Sequence, residues 1–230
     1  MDGINDNYSR GFFIDHIFTD WQFEKYISGD VAGDGVFSKV IYDEEKLSLS
    51  RREVILKAHA VCGTQKISLT KKYIINSSGM NIQYIIHNDS DTVFKSKFCV
   101  ESNFSIPGFT TQDTNPFKVL LATETEALEV DSQKSSKECL KKGYLSNINV
   151  VQISDLNDSI SFSFEPNENC SYCFYPLMYN RPKDMFCSNG LSRTALVSTL
   201  FWDLDIEPGK ETEKNFNFTI YATHKQKKRK

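Results

Sequence analysis

The sequence lacks long apolar runs and a strong excess of charge of one sign, and its first ten residues lack the basic and apolar regions typical of a signal peptide. No segment of the 230 residues approaches the roughly 18 consecutive apolar residues that a transmembrane helix needs. The 27 Lys and Arg residues are balanced by 30 Asp and Glu residues. We therefore expect no nucleic-acid partner and no membrane partner. The N-terminal segment 1–10 is polar, which predicts a cytoplasmic protein with reduced cysteines.

Nucleotide, nucleophile and metal motifs are also missing. The chain contains neither a G-x-S-x-G segment nor a Walker sequence, and no two of its 4 histidines have the i, i+4 spacing of a helical metal site. Cys170 and Cys173 form a single C-x-x-C segment inside an apolar run that is typical of a strand. Because thiols three residues apart on a strand point to opposite faces, we expect buried cysteines, no metal and no cofactor.

Aromatic residues are abundant, at 13% of the chain, and they favour strands over helices. The exception is residues 20–28, which we predict to form a short helix. Thr19 and Gln22 have the spacing of a capping box at its start, and Gly29 is a typical helix stop. The basic segment 224–230 is predicted to be a disordered tail, with residues 1–223 forming a single domain.

Elsewhere the apolar residues alternate with period two. The pattern predicts an all-β fold in which two large antiparallel sheets pack face to face, with one short N-terminal helix. Tyr84, Phe104 and Trp202 are predicted to pack between the sheets. The strands are predicted at residues 36–42, 52–61, 66–75, 80–87, 93–106, 117–122, 144–153, 159–165, 170–179, 192–206 and 214–223.

A few polar and aromatic residues are candidates for chemistry. Asp15 and His16 lie between apolar neighbours, where they could orient a ligand or form a buried structural hydrogen bond. Glu101 and Asn103 share one face of a predicted strand, which could bind sugar hydroxyls or be an ordinary solvated face. Trp21, on the short helix, could stack on a sugar ring or anchor the helix to the sheet.

Several segments, taken in order, resemble the C-terminal domain of the 4-α-glucanotransferases and α-amylases of glycoside hydrolase family 57. The resemblance is carried by short motifs spread over nearly the whole chain. These motifs are Arg10-Gly-Phe-Phe-Ile-Asp15-His16-Ile, Leu49-Ser-Arg51-Arg, Ile67-Ser-Leu-Thr-Lys71-Lys-Tyr73, Ile82-Gln-Tyr-Ile-Ile-His-Asn88, Glu101-Ser-Asn103-Phe and Trp202-Asp-Leu-Asp-Ile-Glu-Pro208-Gly209.

The resemblance implies a galactose-mutarotase-like supersandwich and a role in α-glucan metabolism. In that family the catalytic nucleophile and acid lie in a separate N-terminal barrel, and nothing in these residues corresponds to it. The chain also departs from the family at residues 31–37, where Val31-Ala-Gly-Asp34-Gly-Val-Phe37 stands in place of Glu-x-Gly-Asp-Phe. The missing acidic residue weakens the case for a site on that loop.

The first functional hypothesis is a non-catalytic accessory domain that binds an α-glucan or another carbohydrate, acting alone or with a separate glycoside-hydrolase catalytic chain. The alternatives are a mutarotase-type enzyme, with Glu101 as base and His16 or His87 as acid, and a purely structural domain. The first hypothesis assigns no catalytic residue. Its predicted substrate-binding residues are Asp15, His16, Trp21, Arg51, Glu101 and Asn103.

Overall fold

The computed structural model describes residues 11–27, 35–105, 117–130, 145–155, 160–180 and 191–222. Within them lie one α-helix, one 3₁₀ helix and fourteen strands. The helices are α1 (Asp20–Ile27) and the 3₁₀ helix Val36–Lys39. The strands are β1 (Ile14–Phe18), β2 (Asp43–Ser48), β3 (Glu53–Cys62), β4 (Gln65–Ile75), β5 (Gly79–Asn88), β6 (Phe94–Phe104), β7 (Phe117–Ala122), β8 (Ala127–Val130), β9 (Leu145–Ile148), β10 (Val150–Asp155), β11 (Ile160–Pro166), β12 (Cys170–Asn180), β13 (Leu191–Ile206) and β14 (Glu211–Ala222).

The strands form two antiparallel sheets, which confirms the predicted all-β sandwich. The five-stranded sheet has the order β1-β6-β13-β12-β9, and the nine-stranded sheet has the order β2-β3-β4-β5-β14-β11-β10-β7-β8. Tyr84, Phe104 and Trp202 are buried in one apolar cluster between the sheets, as the alternation predicts. Aromatic rings fill much of this core, and neighbouring rings meet in edge-on, tilted and stacked contacts.

Helix α1 covers the outer face of the five-stranded sheet. Its first turn carries the predicted capping box, because Thr19 N–H donates to Gln22 Oε1 at 3.2 Å and Gln22 N–H lies 3.5 Å from Thr19 Oγ1. Phe23 and Tyr26 are buried against the sheet, where the ring of Phe23 lies 4.7 Å from that of Phe201. The helix is therefore held by its apolar face and shields this part of the sheet from solvent.

Two predicted strands are wrong in detail. Residues 36–39 form a 3₁₀ helix rather than the start of a strand, because the buried Phe37 ring and the bonds from Ser38 to Gly35 O curl the backbone. The predicted strand 144–153 is two strands, β9 in the small sheet and β10 in the large one. Asn147, with a φ of 59°, lies within β9 just before the chain changes sheet.

The thiols of Cys170 and Cys173 lie on opposite faces of β12, as their spacing predicts. Cys170 belongs to the core between the sheets, whereas Cys173 packs with the residues beneath α1. Burial raises the pKa of each thiol from 9.0 to about 12. Burial also raises the pKa of Cys99, which lies in the cluster beneath α1 with Cys173. These thiols therefore remain protonated in the folded protein well above neutral pH.

We expect the free energy of unfolding to fall between pH 8 and pH 10. Above about pH 9 the unfolded chain loses the thiol protons that the folded chain keeps, so stability falls as pH rises. Each thiol contributes about 1.4 kcal/mol per pH unit above its pKa in the unfolded chain. For Cys170 and Cys173 together, we therefore expect the free energy of unfolding to be about 3 kcal/mol lower at pH 10. Urea unfolding with a reductant present measures this slope. Cys170→Ala should reduce it, and an unchanged slope contradicts the assignment.

No helix among the described residues is long and apolar enough to cross a membrane. The predicted tail 224–230 lies outside the described residues, as do Gly29 and most of the loop 31–37 in which the sequence departs from the family pattern.

Candidate functional site

The two polar residues of β1 point in opposite directions. Asp15 shares its face with Ile17, which belongs to the core between the sheets. His16 shares its face with Phe18, which belongs to the cluster beneath α1. The two side chains are almost fully buried, and each belongs to a separate polar cluster. They therefore do not form one site.

The cluster beneath α1 brings together three of the predicted residues. Strand β1 pairs with β6, so that His16 lies beside the strand that carries Glu101 and Asn103. His16 Nε2 lies 3.3 Å from Glu101 Oε2, and Asn103 Nδ2 donates to Glu101 Oε1 at 2.7 Å. Asn103 Nδ2 also donates to Gly11 O at 3.0 Å. A carboxylate, an imidazole and an amide thus meet on the outer face of the small sheet.

Helix α1 and the 3₁₀ segment close this cluster. Tyr26 donates its hydroxyl to Glu101 Oε2 at 2.7 Å, and the same hydroxyl lies 2.6 Å from Thr199 Oγ1. The N–H of Gly35 donates to His16 Nδ1 at 3.1 Å. His16 and Glu101 are both 0% exposed. Their polar atoms are therefore engaged by the protein itself.

The hydrogen bond from Gly35 fixes the tautomer of the neutral His16 imidazole. Because Nδ1 of His16 accepts the Gly35 N–H, the proton of a neutral ring lies on Nε2, which faces the Glu101 carboxylate. A glycine is needed for this approach, since a Cβ at residue 35 would lie 2.5 Å from the Cβ of His16. The backbone thus lies directly against the histidine and leaves no room for a ligand between them.

The second cluster lies between the sheets and is built on Asp15. Lys71, on β4 of the nine-stranded sheet, places its Nζ 2.6 Å from Asp15 Oδ2 and donates to Phe13 O at 2.8 Å. Tyr42 donates its hydroxyl to the same carboxylate oxygen. Since Asp15 belongs to the five-stranded sheet, this ion pair joins the two sheets through the core.

Aromatic rings surround the Lys71 ammonium. Its Nζ lies 5.0 Å from the ring centre of Tyr42, 5.5 Å from that of Tyr84 and 5.7 Å from that of Tyr73. Burial lowers the pKa of the Lys71 ammonium, but the charges and hydrogen bonds of Asp15 and Tyr73 together outweigh burial, so that the pKa is raised. Burial raises the pKa of Tyr42 and Tyr84 as well. The cluster therefore holds one ammonium among neutral phenols.

Trp21 and Arg51 lie away from both clusters. Trp21 is 65% exposed on α1, where the Nζ of Lys25 lies 3.9 Å from its ring centre. Arg51 is exposed in the turn between β2 and β3, at the edge of the nine-stranded sheet. Their sugar-binding roles stay predictions, as do those of Asp15, His16, Glu101 and Asn103.

Sequence reasoning missed several members of the two clusters. Lys71 could have been found, because it interrupts the apolar alternation of Ile67, Leu69 and Tyr73 with a charge on the inward face. Tyr26 and Thr199 carry no such signal. Their roles depend on how α1 packs and on how β13 pairs with β6.

The family model of the C-terminal domain of α-amylase and 4-α-glucanotransferase matches residues 4–178. The chain belongs to this family. The match confirms the resemblance carried by the short motifs and covers strands of both sheets, including β1 and β6. A search of curated proteins finds no match.

Solved structures agree with the family's fold. The 4-α-glucanotransferase of Thermococcus litoralis is 14% identical with a TM-score of 0.64, and the match covers 93% of this chain and 28% of that enzyme. A galactose mutarotase-like protein from Lactobacillus casei is 9% identical with a TM-score of 0.52, covering 84% of this chain and 75% of that one. A galactose mutarotase related enzyme from Lactobacillus acidophilus is 10% identical with a TM-score of 0.50, covering 84% and 74%. At these identities the likeness concerns the fold alone.

This member of the family thus has a β-sandwich with two buried polar clusters and an exposed Trp21. The chain spans 28% of the length of the Thermococcus litoralis enzyme. The matching family model describes the C-terminal region of α-amylase and 4-α-glucanotransferase.

Proposed function

We propose that this domain binds α-glucan without catalysing a reaction and serves a glycoside-hydrolase catalytic domain or chain. Family membership supports the link to glucan processing. The short motifs support the finer assignment to the type found in glycoside hydrolase family 57, and the buried free thiols of the described residues suit a cytoplasmic location. The catalytic partner is expected to supply the acid and nucleophile that act on the glycosidic bond.

The proposal that the domain is non-catalytic rests on one observation, which is that the Glu101–His16 pair is fully buried by the protein's own groups. A mutarotase-type reaction requires a base and an acid that reach the anomeric hydroxyl and ring oxygen of a sugar. Here Glu101 accepts from Tyr26 and Asn103, and His16 accepts from Gly35. With both residues 0% exposed, the pair is suited to holding β1, β6 and α1 together.

The test combines a binding titration with an anomerisation assay. We expect calorimetric titration with maltoheptaose to give saturable binding, and polarimetry of fresh α-D-glucose to give the rate of buffer alone. A faster rate that disappears in Glu101→Gln would show an enzyme and overturn the proposal. Failure of the wild-type chain to bind maltoheptaose or longer amylose would leave only a structural role.

The buried location of Glu101 adds a control to the same experiment. Because the residue lies beneath α1, Glu101→Gln is expected to leave glucan affinity unchanged as long as the variant is folded. Near-ultraviolet circular dichroism checks the packing of the aromatic core. Loss of binding in a folded Glu101→Gln protein would place the glucan at the buried cluster, against the proposal.

A further inference from the structure

The outer face of the nine-stranded sheet carries an ordered group of amide side chains. Strand β14 is the fifth of the nine strands and therefore lies at the centre of the sheet. Its outward residues include Asn215 and Asn217, which pair across to Gln83 and Asn81 of β5. These four residues occupy neighbouring positions on two strands, and we refer to them as the amide block.

Hydrogen bonds fix the orientation of the amide block. Asn81 Nδ2 donates to Asn217 Oδ1 at 3.0 Å, and Asn215 Nδ2 donates to Glu213 Oε1 at 2.7 Å. The Oδ1 atom of Asn215 is shielded from solvent and accepts no hydrogen bond from the described residues. The block therefore presents side chains whose orientations are already fixed by hydrogen bonds within the protein.

We propose that the amide block is the surface on which the domain binds an α-glucan chain. This inference rests on the proposed function and adds the site to it. Each amide offers both donors and an acceptor, which suits the neighbouring hydroxyls of a glucose residue, since those also donate and accept. The Glu213 carboxylate next to the block adds an acceptor for sugar hydroxyls.

The composition of the block favours a sugar over a macromolecule. Nucleic acid binding draws on Lys and Arg, whereas the four residues of the block are neutral. Protein interfaces bury aromatic and aliphatic residues at their centre, whereas the four residues of the block are amides. A neutral polyhydroxylated chain is the ligand class whose hydrogen bonding matches these side chains.

An exposed aromatic ring lies on the same face. Tyr221 is 40% exposed on β14 and is four residues beyond Asn217, which places it about 14 Å away along the strand. Both residues point outward because successive alternate residues of a strand share a face. Tyr221 is thus placed to stack on one glucose ring while the amides bind the hydroxyls of others in the same oligosaccharide.

The block and Trp21 lie on opposite sides of the sandwich. Trp21 is on α1, which covers the outer face of the five-stranded sheet, whereas the block is on the outer face of the nine-stranded sheet. Both sheets lie between them, so one short oligosaccharide cannot contact both. Variants at the two places therefore distinguish the amide block from the site predicted from sequence.

The experiment is calorimetric titration of the full chain with maltoheptaose. The double variant Asn81→Ala/Asn217→Ala removes a hydrogen-bonded pair together, and Gln83→Ala removes a neighbouring amide. We expect each to weaken binding at least tenfold. The matched control is Asn169→Ala, an exposed asparagine in the turn before β12, which should bind like the wild type. Thermal unfolding checks that all variants are folded.

The possible outcomes separate this site from the proposed function. If the wild type binds and the amide variants bind equally well, the amide block is wrong and the glucan-binding function stands. Loss of binding in Trp21→Ala alone also overturns the block and assigns the site to α1. If the wild type binds no glucan, the proposed function fails and the inference fails with it.

Discussion

Lys71→Ala is expected to destabilise the domain by about 3–5 kcal/mol. The change leaves the Asp15 carboxylate, which is 2% exposed, buried between the sheets without its counter-ion. It also removes a donor from Phe13 O and a cation from the tyrosine rings around it. Urea unfolding followed by tryptophan fluorescence and by circular dichroism measures the loss as a lower transition midpoint.

A double variant separates the unpaired charge from the lost packing. In Asp15→Leu/Lys71→Met both charges are replaced by apolar groups, and we expect much of the stability to return, because a buried ion pair often contributes little compared with apolar packing. The matched control is Lys72→Met, the next residue of β4, whose ammonium is half-buried on the outer face and pairs with Glu53. A loss below about 1 kcal/mol in Lys71→Ala would contradict the assigned role of the pair.

Much of the sandwich can be predicted from alternation. Residues 66–75 and 80–87 alternate at most positions, and they form β4 and β5 with nearly the predicted bounds. The same alternation places Tyr84 and Trp202 in the core. A strand with one buried face has a sequence period of two whichever strands it pairs with. For this reason composition and spacing are enough to predict such strands and their buried residues.

Elements whose form depends on distant contacts could not be predicted in this way. The edge strand β2 has exposed residues on both faces and so has no alternation to detect. The 3₁₀ helix at residues 36–39 depends on the position of His16, against which Gly35 packs. In such segments tertiary contacts decide the local structure rather than the residues' own propensities.

The candidate site was predictable to a similar extent. Period two is enough to place Glu101 and Asn103 on one face. His16 joins them because β1 pairs with β6. Asp15 does not join them, because it lies on the face of β1 that is turned inward. One strand thus serves two clusters, and a pair of adjacent polar residues in a sequence does not reveal this.

The two clusters give β1 an unusual number of polar restraints for an edge strand. On its inner face Asp15 is joined to the large sheet by Lys71, and on its outer face His16 is joined to Glu101 and Gly35. An edge strand has a free row of backbone groups and is hydrogen-bonded to a neighbouring strand on one side alone. The clusters tie β1 to the nine-stranded sheet on one side and to the cluster beneath α1 on the other.

Glu101→Ala is expected to cost about 3–5 kcal/mol of unfolding free energy, which is more than its loss of side-chain packing alone explains. The change removes the carboxylate that accepts from the Tyr26 hydroxyl and from the Asn103 amide and that faces Nε2 of the buried His16. Glu101→Gln keeps one acceptor oxygen but turns an NH₂ group toward a donor, so we expect about 1–3 kcal/mol. Urea unfolding at neutral pH measures both variants.

A double-mutant cycle with Tyr26→Phe tests whether the loss comes from the hydrogen bond between α1 and the sheet. Tyr26→Phe alone removes the donor and keeps the ring contacts with His16 and Phe18. If the hydroxyl of Tyr26 and the carboxylate of Glu101 act as a pair, the effects of Tyr26→Phe and Glu101→Gln are not additive, with a coupling energy of about 0.5–3 kcal/mol. Additive effects would mean that Glu101 stabilises β6 through Asn103 and His16 alone. A measured coupling instead assigns Glu101 to fastening α1, the use that its complete burial favours over acid–base catalysis.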